Sequence, residues 1–211
     1  MSDIAVTPML RLSGEERRAE IVDAVLRLSA ERSPGLITTA EIARALSLSQ
    51  GALFKHFPRK EDIWLAVAER IAESLLATVE QAAQQAASPL AALHGIFMAH
   101  VGFVIEHPGA PRFIFHELQR SVDSPVKSRL REMLARYRQI LMGLLETAEQ
   151  QGELAEGTNK SAAASLFLGS IQGLVMQSML AGSSAAMRQQ AEAILPIFER
   201  GIRREKSGEA A

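Results

Sequence analysis

Four times along its 211 residues the chain spells out the start of a helix. Ser13 with Glu16, and again Thr38 with Glu41, have the spacing in which a hydroxyl and a carboxylate satisfy each other's free N–H groups at a helix N-terminus. Ser88-Pro89 and Ser124-Pro125 put a capping hydroxyl before a proline, which the first helical position tolerates. Between such starts apolar residues recur every three or four positions, as Ile21, Val25 and Leu28 do. No run of alternating β-branched residues bounded by turn signals appears, so the chain is predicted to be all-α, with about nine helices.

The punctuation also sets the order of elements. Ser33-Pro34-Gly35 closes the first helix, and Ile42, Ala43 and Leu46 line a short second one. Ser47-Leu48-Ser49 breaks it, a third helix runs from about 49 to 57, and Pro58 stops it. Glu61 and Asp62 suit the positive end of a long fourth helix reaching about Ala87. A short helix is expected over about 110–121, and the one from Pro125 ends near Gly152. Thr158 is expected to cap the next, which ends near Gly182, and the last spans about 185–204. The architecture read from this is a three-helix unit over 11–60, joined by the fourth helix to a helical bundle over 61–206, with flexible tails at 1–10 and 207–211.

A helix, a turn of about four residues and a second helix is the helix-turn-helix pattern, whose second helix enters the major groove of DNA. Thr38 and Thr39 stand at a helix N-terminus, where hydroxyls and free N–H groups suit phosphate. Ser49 and Gln50 open the next helix, and Lys55, His56 and Lys60 follow where cations hold the DNA backbone. The whole chain carries a net charge of −1, but nine basic side chains face six acidic ones between Arg11 and Lys60, leaving +3 there. That asymmetry fits an anionic partner for the N-terminal segment.

The stretch "ITTAEIARALSLSQGALFKHFPRKEDIW" resembles the N-terminal domain of the TetR family of bacterial transcriptional regulators, over roughly residues 14–70. The resemblance implies that Thr38 and Thr39 touch phosphate. It further implies that Ser49, Gln50, Gly51, Ala52, Phe54 and Lys55 belong to the recognition helix, and that His56 and Lys60 clamp the DNA backbone. Three residues depart from the family pattern. Phe54 stands where Tyr is usual, removing a hydroxyl worth about 1 kcal/mol toward phosphate. Ser47 replaces the usual glycine of the turn, which requires a positive φ of a non-glycine residue. Arg59 replaces a small capping residue and exchanges a cap for a cation.

In the larger unit no charged residue occurs from Ser161 to Met187, a run of 27 residues long enough to cross a bilayer. Ser165, Ser170, Gln172, Gln177 and Ser178 interrupt it and no basic loop flanks it, so a buried soluble helix is expected and no membrane partner. Gly169 and Gly173 lie one turn apart and allow close helix approach. The family resemblance implies a dimer interface made by the last two helices of each subunit, here carrying Leu166, Gly169, Ser170, Gly173, Gln177, Ile194 and Phe198. The alternative is a central helix of a monomeric bundle.

Phe97, Phe103, Tyr137, Met142, Phe167 and Met176 are candidates for the wall of a ligand cavity, with His100, Arg112, His116 and Gln172 as orienting polar groups. Each apolar one of them reads equally well as plain core. His94, His100, His107 and His116 form no HExxH or carboxylate-rich set, so no metal is expected. Cysteine is absent, which excludes disulfides and thiolate chemistry, and no phosphate loop, nucleophile elbow or acid pair is present. No enzyme activity and no cofactor are therefore expected. The N-terminus lacks the apolar segment of a secretion signal, so the cytoplasm is the expected compartment.

The reading is a homodimeric repressor that binds an inverted-repeat operator in double-stranded DNA and is released when a small-molecule effector tilts the fourth helix. Its rival is an effector-independent DNA-binding protein whose helical domain holds a protein partner.

Overall fold

The computed structural model describes residues 13–204; the expected tails and Arg11 lie outside the described residues. Nine α-helices occur among them: α1 (Gly14–Glu31), α2 (Thr39–Ala45), α3 (Gln50–His56), α4 (Lys60–Gln84), α5 (Pro89–Glu106), α6 (Gly109–Gln119), α7 (Pro125–Gln150), α8 (Lys160–Ala181) and α9 (Met187–Ile202). No strand occurs there beyond one isolated bridge between Leu154 and Arg203.

The predicted starts form as chemistry dictates. Both capping boxes close, Ser13 with Glu16 and Thr38 with Glu41. Ser88 and Ser124 accept from the N–H groups of Ala91 and Lys127, each at 3.2 Å. One cap is corrected. Asn159, not Thr158, caps α8, because its side-chain oxygen accepts from Ala162 N–H at 3.0 Å, while the Thr158 hydroxyl donates to the Ala155 carbonyl at 2.7 Å. Helix α4 stops at Gln84 rather than near Ala87, α9 starts at Met187, and a single 3-10 turn, Pro34–Leu36, fills the link before α2.

The turn between α2 and α3 depends on one strained residue. Ser47 has φ 55°, as its place in the turn requires. Around it Ser47 N–H donates to the Arg44 carbonyl at 3.1 Å and Leu48 N–H to the Ala43 carbonyl at 2.8 Å, the paired bonds that terminate a helix through a left-handed residue. The chain thereby reverses within four residues and α3 crosses α2.

One apolar core runs through the molecule. Ile21, Val25, Ile42, Leu53, Phe57 and Ile63 are fully buried beneath α1 to α3. Trp64 of α4 meets Phe113 of α6 with ring centroids 6.1 Å apart, and joins that cluster to the bundle. In the bundle Phe97 packs edge-on to Phe167 at 5.3 Å, and Phe167 to Phe198 at 5.5 Å. Such pairs each add about 0.5–1.5 kcal/mol beyond area burial. Helix α5 contacts α4, α7, α8 and α9, which accounts for its apolar composition; α5 and α8 are both long and apolar enough to span a membrane, yet both pack into this bundle.

Candidate functional site

The exposed face of α3 follows from its period. Leu53 and Phe57, one turn apart, point into the core, so Gln50, Gly51, Phe54 and Lys55 point outward. Phe54 is 40% exposed on this face, and Lys55 has no carboxylate within ion-pair distance among the described residues. Ala52 is half-buried. Ser49 caps the helix, its hydroxyl accepting from Ala52 N–H at 3.1 Å.

The two threonines are already engaged. Thr38 Oγ1 accepts from Glu41 N–H at 3.2 Å and donates to the Glu41 carboxylate at 3.0 Å. Thr38 N–H also donates to the Glu41 carboxylate at 2.9 Å, and that bond foremost, with the one from the hydroxyl, holds the Glu41 carboxyl below its ordinary pKa. Thr39 Oγ1 accepts from the Gln50 amide at 3.2 Å, which links the starts of α2 and α3.

The cations after α3 divide into two kinds. Lys60, expected to grip the DNA backbone, turns inward: its ammonium donates to the Ile37 carbonyl at 2.5 Å and lies 4.5 Å from the Trp64 ring centroid. Desolvation there pushes its pKa down. Arg59 is exposed, yet its guanidinium is 2.7 Å from Asp62, whose carboxylate also accepts from Arg59 N–H and so retains half of a capping box. His56 is half-buried, and its carbonyl accepts from Arg18 of α1 at 2.5 Å. Arg18 also lies 4.0 Å from the Phe57 centroid and braces the C-terminal end of α3. Sequence reading passed over Arg18, because one arginine among several on an amphipathic helix carries no pattern of its own.

In the bundle a cavity of about 580 Å3 lies between α4, α5, α6, α7 and α8. Of the residues expected on its wall, His100, Phe103, Tyr137, Gln172 and Met176 are there. Phe97 and Phe167 are not: both are fully buried in the aromatic stack described above. Met142 packs against the core and Arg112 also stands off the wall. His116 faces the N-terminal unit, so close to Gly35 that a Cβ there would lie 2.7 Å from its ring, and its Nε2 is 3.9 Å from the buried Glu117 carboxylate. Lys127, Arg131, Ile114, Met133 and Leu168 line the cavity without having been foreseen.

Inside the cavity His100 Nδ1 and the Tyr137 hydroxyl are 3.1 Å apart. Burial lowers the His100 pKa to about 4, so its ring is neutral near pH 7, and raises that of Tyr137. The other histidines have partners as well: His94 lies 2.8 Å from Glu199, and His107 packs on Phe103 at 4.7 Å. Among the described residues no group of three potential metal ligands converges.

The outer face of α8 carries large apolar side chains that no other described residue covers. Leu166 is 59% exposed and Leu180 83%, with Ile197 of α9 at 63%. A Cβ on Gly169 or Gly173 would meet nothing within 4 Å, so packing inside the protomer does not call for either glycine. Gln177 is exposed, Ser170 donates to the Leu166 carbonyl at 2.8 Å, and Ile194 is half-buried. Phe198, expected at this surface, is 4% exposed and packs on Phe167, while Gly173 also borders the cavity.

A family model described as bacterial regulatory proteins, tetR family, matches residues 21–67, and one described as tetracyclin repressor-like, C-terminal domain, matches residues 119–194. The chain is similar to the nucleoid occlusion factor SlmA of Marinomonas sp. (strain MWYL1), 26% identical over 161 residues that span 76% of this chain and 81% of that one. Its fold is similar to that of FadR from Bacillus subtilis in complex with stearoyl-CoA, with a TM-score of 0.74 and 22% identity over 87% of this chain and 98% of that one. It is also similar to that of a protein from Saccharomonospora viridis in complex with choline, with a TM-score of 0.79 and 19% identity over 90% of this chain and 100% of that one.

Proposed function

Because the chain belongs to the TetR family of bacterial DNA-binding regulators, we propose that it is a homodimeric transcriptional repressor released from its operator by a small molecule held in the α4–α8 cavity. The observation that carries this reading is that the cavity shares its walls with the helices that hold the DNA-binding unit in place. Helix α6 supplies Ala110, Pro111 and Ile114 to the wall, and its first residue, Gly109, sits so tightly on α1 that a Cβ would come within 1.9 Å of the Leu26 carbonyl. Helix α4 supplies Ile71 and Leu75 and packs on α1 as well. A ligand that displaces α6 or α4 therefore displaces α1, and with it α2 and α3.

The uncovered stripe of Leu166, Gly169 and Leu180 on α8, with Ile197 on α9, supports pairing with a second copy. Two α3 helices then enter successive major grooves, centres roughly 34–36 Å apart, with Gln50 and Lys55 toward DNA. Cytoplasmic location and a non-catalytic role go with this reading.

The experiment is selection of bound fragments from sheared genomic DNA at about 150 mM salt, repeated with small-molecule extracts added. An enriched inverted repeat, lost on addition of an extract, is the expected result. An enriched repeat that no extract releases would instead favour an effector-independent DNA-binding protein with a protein partner. The similarity to nucleoid occlusion factors over 76% of the chain supports that second reading, and the cavity counts against it.

A further inference from the structure

Resting on the reading of the cavity as an effector site, we infer that its ligand is an amphipathic carboxylate, with its apolar body inside the bundle and its anionic head at Lys127 and Arg131. The neighbours in fold space do not select a ligand, since stearoyl-CoA and choline differ in size and in sign of charge. The wall of this chain does.

The interior is apolar, built from residues such as Ile71, Leu75, Val104, Leu130 and Ile171. Its volume of about 580 Å3 falls within the range of roughly 300–1,000 Å3 typical of small-molecule sites. The interior polar pair, His100 and Tyr137, is closed on itself by a 3.1 Å bond, and a neutral imidazole offers no counter-charge. Among the described residues no aspartate or glutamate lines the wall, so a cationic guest finds no partner there.

Among the described residues the charged groups on the wall are two cations, Lys127 and Arg131, which stand one helical turn apart on α7. Lys127 donates to the Arg120 carbonyl and has no carboxylate within ion-pair distance among the described residues. Arg131 pairs with Asp123, both well exposed. The mouth lies beside them, because Leu118, Leu134 and Met176 line the cavity and are also exposed at the surface. A carboxylate placed there keeps part of its water and gains a cation, while its chain replaces water along an apolar wall.

The test uses three probes with the same twelve-carbon chain, dodecanoate, dodecanol and dodecyltrimethylammonium, titrated calorimetrically into the full chain below their micelle concentrations. Expected is one dodecanoate per chain, bound about tenfold tighter than the ammonium probe. In Lys127→Gln/Arg131→Gln, where Arg131 is exposed and Lys127 half-buried with its ammonium outside the apolar core on the Arg120 carbonyl, the preference falls to about equal while dodecanol affinity is unchanged. Equal binding of dodecanoate and dodecanol, or tightest binding of the cation, overturns the assignment of the head and leaves the cavity reading standing. Failure of all three to bind overturns both.

Discussion

Gln50 donates its side-chain amide to the Thr39 hydroxyl at 3.2 Å, so the first residue of α3 is held by the first residue of α2. The bond fixes the direction of a side chain that otherwise has three free torsions, at the end of α3 proposed to meet base edges. A glutamine there reads adenine through two hydrogen bonds, which discriminate by about 1–3 kcal/mol against the wrong base. Gln50→Ala is therefore expected to reorder relative affinities among operator variants in competition assays. If the order survives intact, α3 does not lie in the groove as proposed.

Phe54 leaves 40% of its surface uncovered on the same face. Phe54→Tyr adds a hydroxyl that can donate to phosphate and is expected to tighten operator binding by about 1 kcal/mol, roughly fivefold, without changing thermal stability. Fluorescence anisotropy against a labelled operator measures the difference; looser binding would show that the ring itself packs against DNA.

Lys55 and Lys60 separate electrostatics from architecture. Lys55 is exposed and has no ion pair among the described residues, so Lys55→Ala should reduce the slope of log affinity against log salt by about 0.9. Lys60 is engaged by the Ile37 carbonyl and the Trp64 ring, so Lys60→Met should lower stability by about 1–2 kcal/mol and change the salt slope less than Lys55→Ala does. Denaturation midpoints and salt titrations of both variants decide the matter, and a larger slope change for Lys60→Met would mean that its side chain swings out onto phosphate.

Ser47 sits at φ 55°, a region that costs a non-glycine residue on the order of 1 kcal/mol or more. Ser47→Gly removes that strain, partly offset by the extra freedom of glycine in the unfolded chain. A net gain of about 1 kcal/mol, seen as a rise of roughly 2–4 °C in the thermal midpoint, is expected. An unchanged or lower midpoint would mean that the hydroxyl compensates.

His100 has a folded pKa of about 4 against an ordinary 6.5. Between those values the unfolded chain takes up a proton that the folded chain refuses, so this contribution to stability is complete above about pH 6.5 and is lost as the pH falls toward 4. The slope is at most about 1.4 kcal/mol per pH unit. His100→Gln, which keeps a group able to bond Tyr137, should flatten the dependence of urea stability on pH between about 5 and 7. Glu41 and Asp62, held low by bonds to Thr38 and Arg59, lose their share as the pH falls through their depressed values in both proteins, so the difference isolates the imidazole. Identical slopes would show that the His100 ring is protonated as readily in the folded chain as in the unfolded one.

Helix starts were legible because a cap is a local event: Ser13 and Thr38 meet carboxylates three residues away, whatever the rest of the chain does. The strained turn at Ser47 and the outward face of α3 were legible for the same reason, since a period of 3.6 assigns Leu53 and Phe57 to one side and Gln50 and Phe54 to the other. The period says which residues share a face but not what that face meets. Phe97 and Phe103 lie on one helix with the same chemistry, yet one closes an aromatic stack against Phe167 and the other borders a void. Phe198 shares the buried face of α9 with Met187, Ala191, Leu195 and Ile202 while Ile197 falls on the other, a division made by the helical period, but that the buried face closes on Phe167 was decided by packing. Lys60 meets Trp64 one turn along its own helix, but its bond to the Ile37 carbonyl, and the place of Lys127 beside a cavity, come from contacts between segments distant in sequence. Local hydrogen bonding thus wrote the list of helices into the sequence, whereas their packing, a sum of many weak contacts over shapes no single segment carries, decided where the cavity opens and which cations face it.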